Sequence, residues 1–160
     1  MKKITRKQIV FLLLILILGL WLKSIFVKHY QIGINFTDSL PGRVYFVAKG
    51  NLNLAIGDLV VFKNDSNVLL YADKNLIKIV AGKQNDKITV QDRTYLINGY
   101  NVTAKKYSTS GARLNQFQPS DNIIPKDNYF VITTSKDSYD SRYFGFISKS
   151  QIIGKAWQIF

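Results

Sequence analysis

Fourteen consecutive uncharged residues near the start of the chain, 9–22 (IVFLLLILILGLWL), limit its possible folds more than any other feature. Lys23 and Ser24 interrupt the run, and Ile25, Phe26 and Val27 resume it. Residues 9–27 make 19 positions, which as a helix rise roughly 28 Å, close to the hydrocarbon thickness of a bilayer. Lys23 lies about one turn from the far end, where its stem lets the ammonium snorkel to the interface. Trp21 and Tyr30 stand where interfacial aromatics are expected. A cleaved signal peptide would have a shorter apolar core followed by small residues in an A-x-A-like pattern. The run is followed instead by VKHYQIGINF, so a retained anchor is expected. Lys2, Lys3, Arg6 and Lys7 precede it, and by the positive-inside rule they keep residues 1–8 cytoplasmic. Residues 30–160 then face outward as one domain on the far side of the membrane.

Charge supports this division. The 160 residues carry 22 Lys+Arg against 10 Asp+Glu, a formal net charge of +12, and every acid is Asp. Residues 1–28 hold six basic side chains and no acid, so half of the excess belongs to the membrane segment. The remainder is diffuse, with no run of four or more Lys/Arg, and a nucleic-acid partner is not expected. The absence of Cys excludes disulfides, a cysteine nucleophile and a thiolate zinc site. With His29 the only histidine, a two-His metal site is excluded and a base other than His is expected for any hydrolase.

After the anchor the pattern is that of short strands. Stretches 44–48, 58–62, 76–81, 87–90 and 94–97, with a further one at 68–71, are rich in β-branched and aromatic residues and separated by Gly, Asn and Asp. Asn98-Gly99 suits the positive-φ pair of a type I′ hairpin turn. Residues 103–127, with Pro119 and Pro125, read as a polar excursion. Stretches 129–133, 143–147 and 152–159 close the chain as strands. No stretch after residue 30 keeps a helical period over ten residues. The expected fold is mainly β, a coiled sheet or barrel-like domain behind one N-terminal transmembrane helix.

Four segments carry possible chemistry. In Asn35-Phe36-Thr37-Asp38-Ser39-Leu40-Pro41-Gly42, a serine hydroxyl projects from a turn where backbone N–H groups can converge on an oxyanion. Taken alone it is an ordinary turn serine. In Leu76-Ile77-Lys78-Ile79-Val80-Ala81, a lysine sits among apolar residues of both parities. Burial there disfavours the ammonium form, and a neutral amine is a general base able to activate a serine. Taken alone it is the wet face of an edge strand. Gly57-Asp58-Leu59-Val60-Val61-Phe62 is a turn into a buried strand. In Ser138-Tyr139-Asp140-Ser141-Arg142-Tyr143-Phe144-Gly145, Asp140 and Arg142 are placed to pair across a turn.

In this order the segments resemble the boxes of the type I signal peptidase family, namely Thr-x-Ser-x-Pro, Gly-Asp-x-Val-x-Phe, Ile-Lys-x-Val-x-Gly and Ser-x-Asp-Ser-Arg-Tyr-Phe-Gly. Within that family they are most similar to the compact TraF-type conjugative-transfer peptidases, which share the Asn-x-Thr-x-Ser opening. The resemblance runs from about Asn35 to Ala156. It implies a serine–lysine dyad without metal or cofactor. Ser39 is then the nucleophile, and Lys78 the general base and later the acid. The Ser39 N–H and the Thr37 hydroxyl form the oxyanion hole. Asp140 and Arg142 hold the architecture around the lysine, and Ser138 and Ser141 supply supporting hydroxyls. One departure is that Ile79 follows Lys78, where the family often has Arg.

The function so implied is a membrane-anchored serine endopeptidase acting on precursor proteins at the outer face of the cytoplasmic membrane. Its substrate would be a dedicated conjugative pilin, with or without ring closure of the product. A general set of secreted preproteins is the alternative within the same chemistry. The alternative from another class is an inactive anchored β-domain adaptor of a pilus or secretion complex.

Overall fold

A computed structural model describes residues 5–37, 39–50, 52–64 and 74–160 of the chain. It opens with helix α1 (Arg6–His29), which is longer than the apolar run at both ends. Its start is fixed by a capping box: Thr5 Oγ1 accepts from the Gln8 N–H, and Gln8 Oε1 accepts from the Thr5 N–H at 2.9 Å. None of its residues is buried, and by length and composition it is able to cross a membrane. No linker separates it from the sheet. Its C-cap residue, Tyr30, donates its N–H to Phe26 O and begins β1 (Tyr30–Ile34). Lys49 Nζ donates to Val27 O at 3.0 Å, placing a cation at the negative end of the helix. An aromatic chain continues the connection, from Phe26 to Tyr30 (5.1 Å between centroids), to Phe46 (5.2 Å), to Trp157 (6.2 Å).

The strands that follow are β2 (Val44–Lys49), β3 (Leu59–Lys63), β4 (Asn75–Lys83), β5 (Thr89–Gln91), β6 (Thr94–Ile97), β7 (Tyr100–Thr103), β8 (Asn128–Ile132), β9 (Ile147–Ser148) and β10 (Ile152–Gln158). Seven of them make one curled antiparallel sheet in the order β1-β2-β10-β3-β4-β8-β9, and β5-β6-β7 make a smaller one. The fold is therefore mainly β, as expected. Both faces of the centre are covered: Val60 and Phe62 join Val80, Val131 and Ile147 in one cluster, while Val61 joins Tyr45, Val47 and Ala156 in another. A third cluster, around Ile88, Tyr95, Ile124 and Phe130, packs the small sheet against the large one.

Two register shifts, at Val80/Gly82 in β4 and at Ile152/Gly154 in β10, mark where the sheet bends. Asn98 (φ 45°) and Gly99 (φ 82°) form the turn that joins β6 to β7, as their sequence indicates. One expected strand is corrected. Residues 143–147 do not form one strand, because Ser141–Phe144 are the short helix α2 and only Ile147 enters β9. The cause is local: Asp140 caps the Arg142 N–H and turns the chain before the aromatic residues can extend. The stretch 68–71 lies outside the described residues. β1 is an element that sequence patterning did not separate from the end of the anchor.

Gly154 is held by a close backbone approach, since a Cβ there would lie 2.0 Å from Ala48 O. Gly154→Ala is expected to push β10 from β2 and lower stability by about 1–3 kcal/mol, read as a fall in Tm of the full chain in detergent micelles.

Candidate active site

Ser39 lies on the loop that joins β1 to β2. The loop is closed at its base by the Asn35 N–H donating to Arg43 O at 2.8 Å. Buried Tyr45, one residue into β2, donates its hydroxyl to Pro41 O and pins the far side of the turn. Inside the loop Asn35 makes an Asx turn: its Oδ1 accepts from the Thr37 N–H at 3.1 Å and from the Thr37 hydroxyl at 2.9 Å. Thr37 Oγ1 in turn lies 2.8 Å from Ser39 Oγ.

Lys78 comes from the middle of β4, opposite Val60 of β3, and is only 4 % exposed. It shares its strand parity with Leu76 and Val80, so its stem runs through apolar surroundings. Burial pulls its amine down from 10.5 to about 8; Asp140 opposes that shift and Arg142 adds to it. The amine ends on Ser138, donating to Oγ at 2.7 Å. A neutral amine that donates one N–H in this way keeps its lone pair off Ser138 and open to a proton.

Asp140 and Arg142 are paired in the interior, 0 % and 2 % exposed. Arg142 Nε donates to Asp140 Oδ1 and Nη2 to Oδ2, both at 2.8 Å, a bidentate fork. Asp140 also accepts the N–H groups of Arg142 (3.1 Å) and Thr133 (3.2 Å). The remaining guanidinium donors reach Thr103 O at 2.9 Å, Ser135 O at 3.1 Å and Ser138 O at 3.2 Å. One side chain thus fixes the backbone that carries Ser138 and ties it to the small sheet. Burial works to lower the Arg142 pKa, but the bond to Asp140 outweighs it and holds the guanidinium above its ordinary value. Ser141 is placed differently from Ser138: its Oγ accepts from the Val131 N–H of β8 at 2.9 Å.

Thr37, Ser39, Lys78 and Ser138 line one cleft of about 620 Å³. Ile34, Phe36, Leu76, Ile77 and Tyr139 give it an apolar wall, and Lys74 and Asp137 give it charged edges. Tyr139 is held by stacking on Tyr143, 5.6 Å between centroids and 12° between planes. Lys105 pairs with Asp137 at the edge. Sequence reasoning gave no role to Asn35, Tyr139 or the Lys105–Asp137 pair. Asn35 was findable from its spacing to Thr37; the other contacts arise only when distant segments meet.

The structure thus brings a serine hydroxyl, a threonine hydroxyl and a buried lysine amine to one cleft. Residues 5–160 match the family described as signal peptidase, peptidase S26, and the chain belongs to it. A signal peptidase IB of Staphylococcus aureus (strain Mu50 / ATCC 700699) is 33 % identical over 105 residues, 55 % of this chain and 55 % of that protein. The conjugal transfer protein TraF of Agrobacterium tumefaciens (strain 15955) is 27 % identical over 144 residues, covering 79 % of this chain and 81 % of its own. The chain thus spans about half the length of the signal peptidases IB it matches. A crystal structure of a signal peptidase I from Enterococcus faecalis V583 aligns with a TM-score of 0.44 at 19 % identity, covering 65 % of this chain and 97 % of that one.

Removing one partner of the buried pair strands the other. Arg142→Ala is expected to cost about 3–5 kcal/mol, seen as a large fall in Tm, whereas substitutions of exposed Lys106 leave Tm within about 1–2 °C.

Proposed function

We propose that this chain is a membrane-anchored serine endopeptidase whose dyad is Ser39 and Lys78. The observation that carries the proposal is the shared cleft, lined by both a half-buried serine and a buried, pKa-lowered lysine. Lys78 Nζ takes the proton of Ser39 Oγ as the oxygen bonds to the scissile carbonyl carbon. The carbonyl oxygen becomes an oxyanion, held by the Ser39 N–H and the Thr37 hydroxyl. Collapse breaks the C–N bond, and the lysine ammonium returns the proton to the leaving amine. A water, deprotonated by the same amine, releases the acyl group and restores Ser39.

Residues 1–8 are assigned to the cytoplasm, 9–27 to the bilayer of the cytoplasmic membrane and 30–160 to the extracytoplasmic peptidase domain. Precursors emerging from that membrane are then the substrates. A dedicated role in conjugative pilin maturation is favoured over general preprotein processing, because the TraF relative aligns over most of both chains and the Asn35–Thr37–Ser39 spacing is that of the TraF-type opening. Mass spectrometry of a candidate pilin, with and without this protein, reads cleavage directly and ring closure as a difference of one water.

Ser39→Ala and Lys78→Ala are each expected to abolish precursor processing. Normal processing by both would point instead to a non-catalytic adaptor. Activity requires the free amine, so kcat/KM should rise with pH through an apparent pKa of about 8, not the ordinary lysine value. The same lowered pKa affects stability with a defined sign. Below about 8 the folded chain carries the full penalty of a buried ammonium, and the penalty is relieved as pH rises from about 8 to 10.5. Lys78→Met is therefore expected to be inactive yet more stable at pH 7, by on the order of 3 kcal/mol, with the gain shrinking above pH 8 in thermal melts.

A further inference from the structure

Three polar side chains meet on the turn between Asn35 and Leu40 with only two hydroxyl protons among them. Asn35 Oδ1 accepts the Thr37 N–H, and Asn35 Nδ2 donates to Leu40 O at 3.4 Å. A backbone N–H can only donate and a carbonyl can only accept, so these two bonds fix which way the amide faces. Its oxygen bears no proton, and the 2.9 Å contact with Thr37 Oγ1 is therefore a bond that the Thr37 hydroxyl donates. Its one proton used, Thr37 meets Ser39 across 2.8 Å as an acceptor, and Ser39 is the donor. At rest, then, the Ser39 proton faces Thr37 and the Lys78 amine faces Ser138.

Catalysis needs the Thr37 proton elsewhere, on the oxyanion. A charged oxygen is about twice as strong an acceptor as a neutral amide oxygen, so the hydroxyl turns once negative charge develops and not before. The second Asn35 bond, from the Thr37 N–H, does not have to break in that turn. We propose that Asn35 is a positioning residue of this site: it stores the Thr37 hydroxyl in the ground state and holds its backbone in place while the hydroxyl swings to the transition state. A donor kept away from substrate and released to the oxyanion raises kcat without tightening ground-state binding. This inference rests on the Ser39–Lys78 reading and adds to it a cleft-lining residue that acts through Thr37.

The test is a double-mutant cycle with the full chain in detergent micelles, cleaving a fluorogenic peptide with an Ala-x-Ala cleavage sequence. Rates are taken per folded molecule, counted from thermal melts. Thr37→Val, which keeps the side-chain shape without the hydroxyl, should lower kcat about 10²–10³-fold with KM little changed. Asn35→Ala should lower kcat about 10–100-fold, again with KM little changed. In the Thr37→Val background, Asn35→Ala should add less than about twofold, since the group it positions is gone. Asn35→Ser, whose hydroxyl still accepts from the Thr37 N–H, should recover part of the loss, and it carries the cycle if Asn35→Ala does not fold. An Asn35 effect of the same size in both backgrounds, or one seen in KM alone, overturns the proposal. Ser39→Ala separates the two readings: residual activity there defeats the dyad, whereas an inactive Ser39→Ala with an additive cycle defeats only the role of Asn35.

Discussion

The buried fork between Arg142 and Asp140 is the contact on which the rest of this site depends. Two charges out of water are a liability unless every remaining donor and acceptor is matched. Here Arg142 is answered by both carboxylate oxygens and by three carbonyls, and Asp140 by two backbone N–H groups as well. Those carbonyls belong to Ser135, Ser138 and Thr103, so the pair joins the loop beside the cleft to the small sheet. The short helix α2 serves the same end, since its cap is Asp140 itself.

The fork also sets the chemistry of Lys78. An unpaired Asp140 nearby would draw a proton onto the amine and make it a salt-bridge lysine. Arg142 already neutralises that carboxylate, so desolvation prevails and the amine falls to about 8. Burial and charge balance thus lower this lysine with no histidine beside it among the described residues. Under the proposed dyad, stability and reactivity oppose each other at this position, since the burial that frees the amine is the one that penalises the fold there.

Much of this was legible in the sequence because it is local. The apolar run, the Asn98-Gly99 turn, the buried centre of β3 and the two-residue step from Thr37 to Ser39 all follow from neighbouring residues. What was not legible depends on long-range packing or on side chains bonding backbone. The bond from Lys78 to Ser138 spans 60 positions. Ser141, expected among the supporting hydroxyls, bonds the β8 backbone. Tyr143 and Phe144 have the residue types of a strand, and only the Asp140 cap makes them helical. β1 escaped notice because its start, at Tyr30, continues the helix without any turn signal.

That uninterrupted passage from helix to strand has a consequence for the proposed membrane enzyme. The chain climbs from α1 through the five residues of β1, about 17 Å of extended strand, directly into the loop that bears Ser39. Lys49 on the Val27 carbonyl and the rings of Phe26, Tyr30, Phe46 and Trp157 oppose bending at the junction. The helix end is therefore joined to the serine loop by hydrogen-bonded strand and packed rings rather than by a linker. With α1 in a bilayer, as proposed, a strand of this length limits how far the Ser39 loop can stand from the helix end. A flexible tether of the same length would let the serine sample many depths. A folded one narrows that range, so in the proposed enzyme the sheet serves both as the scaffold of the dyad and as its tie to the anchor.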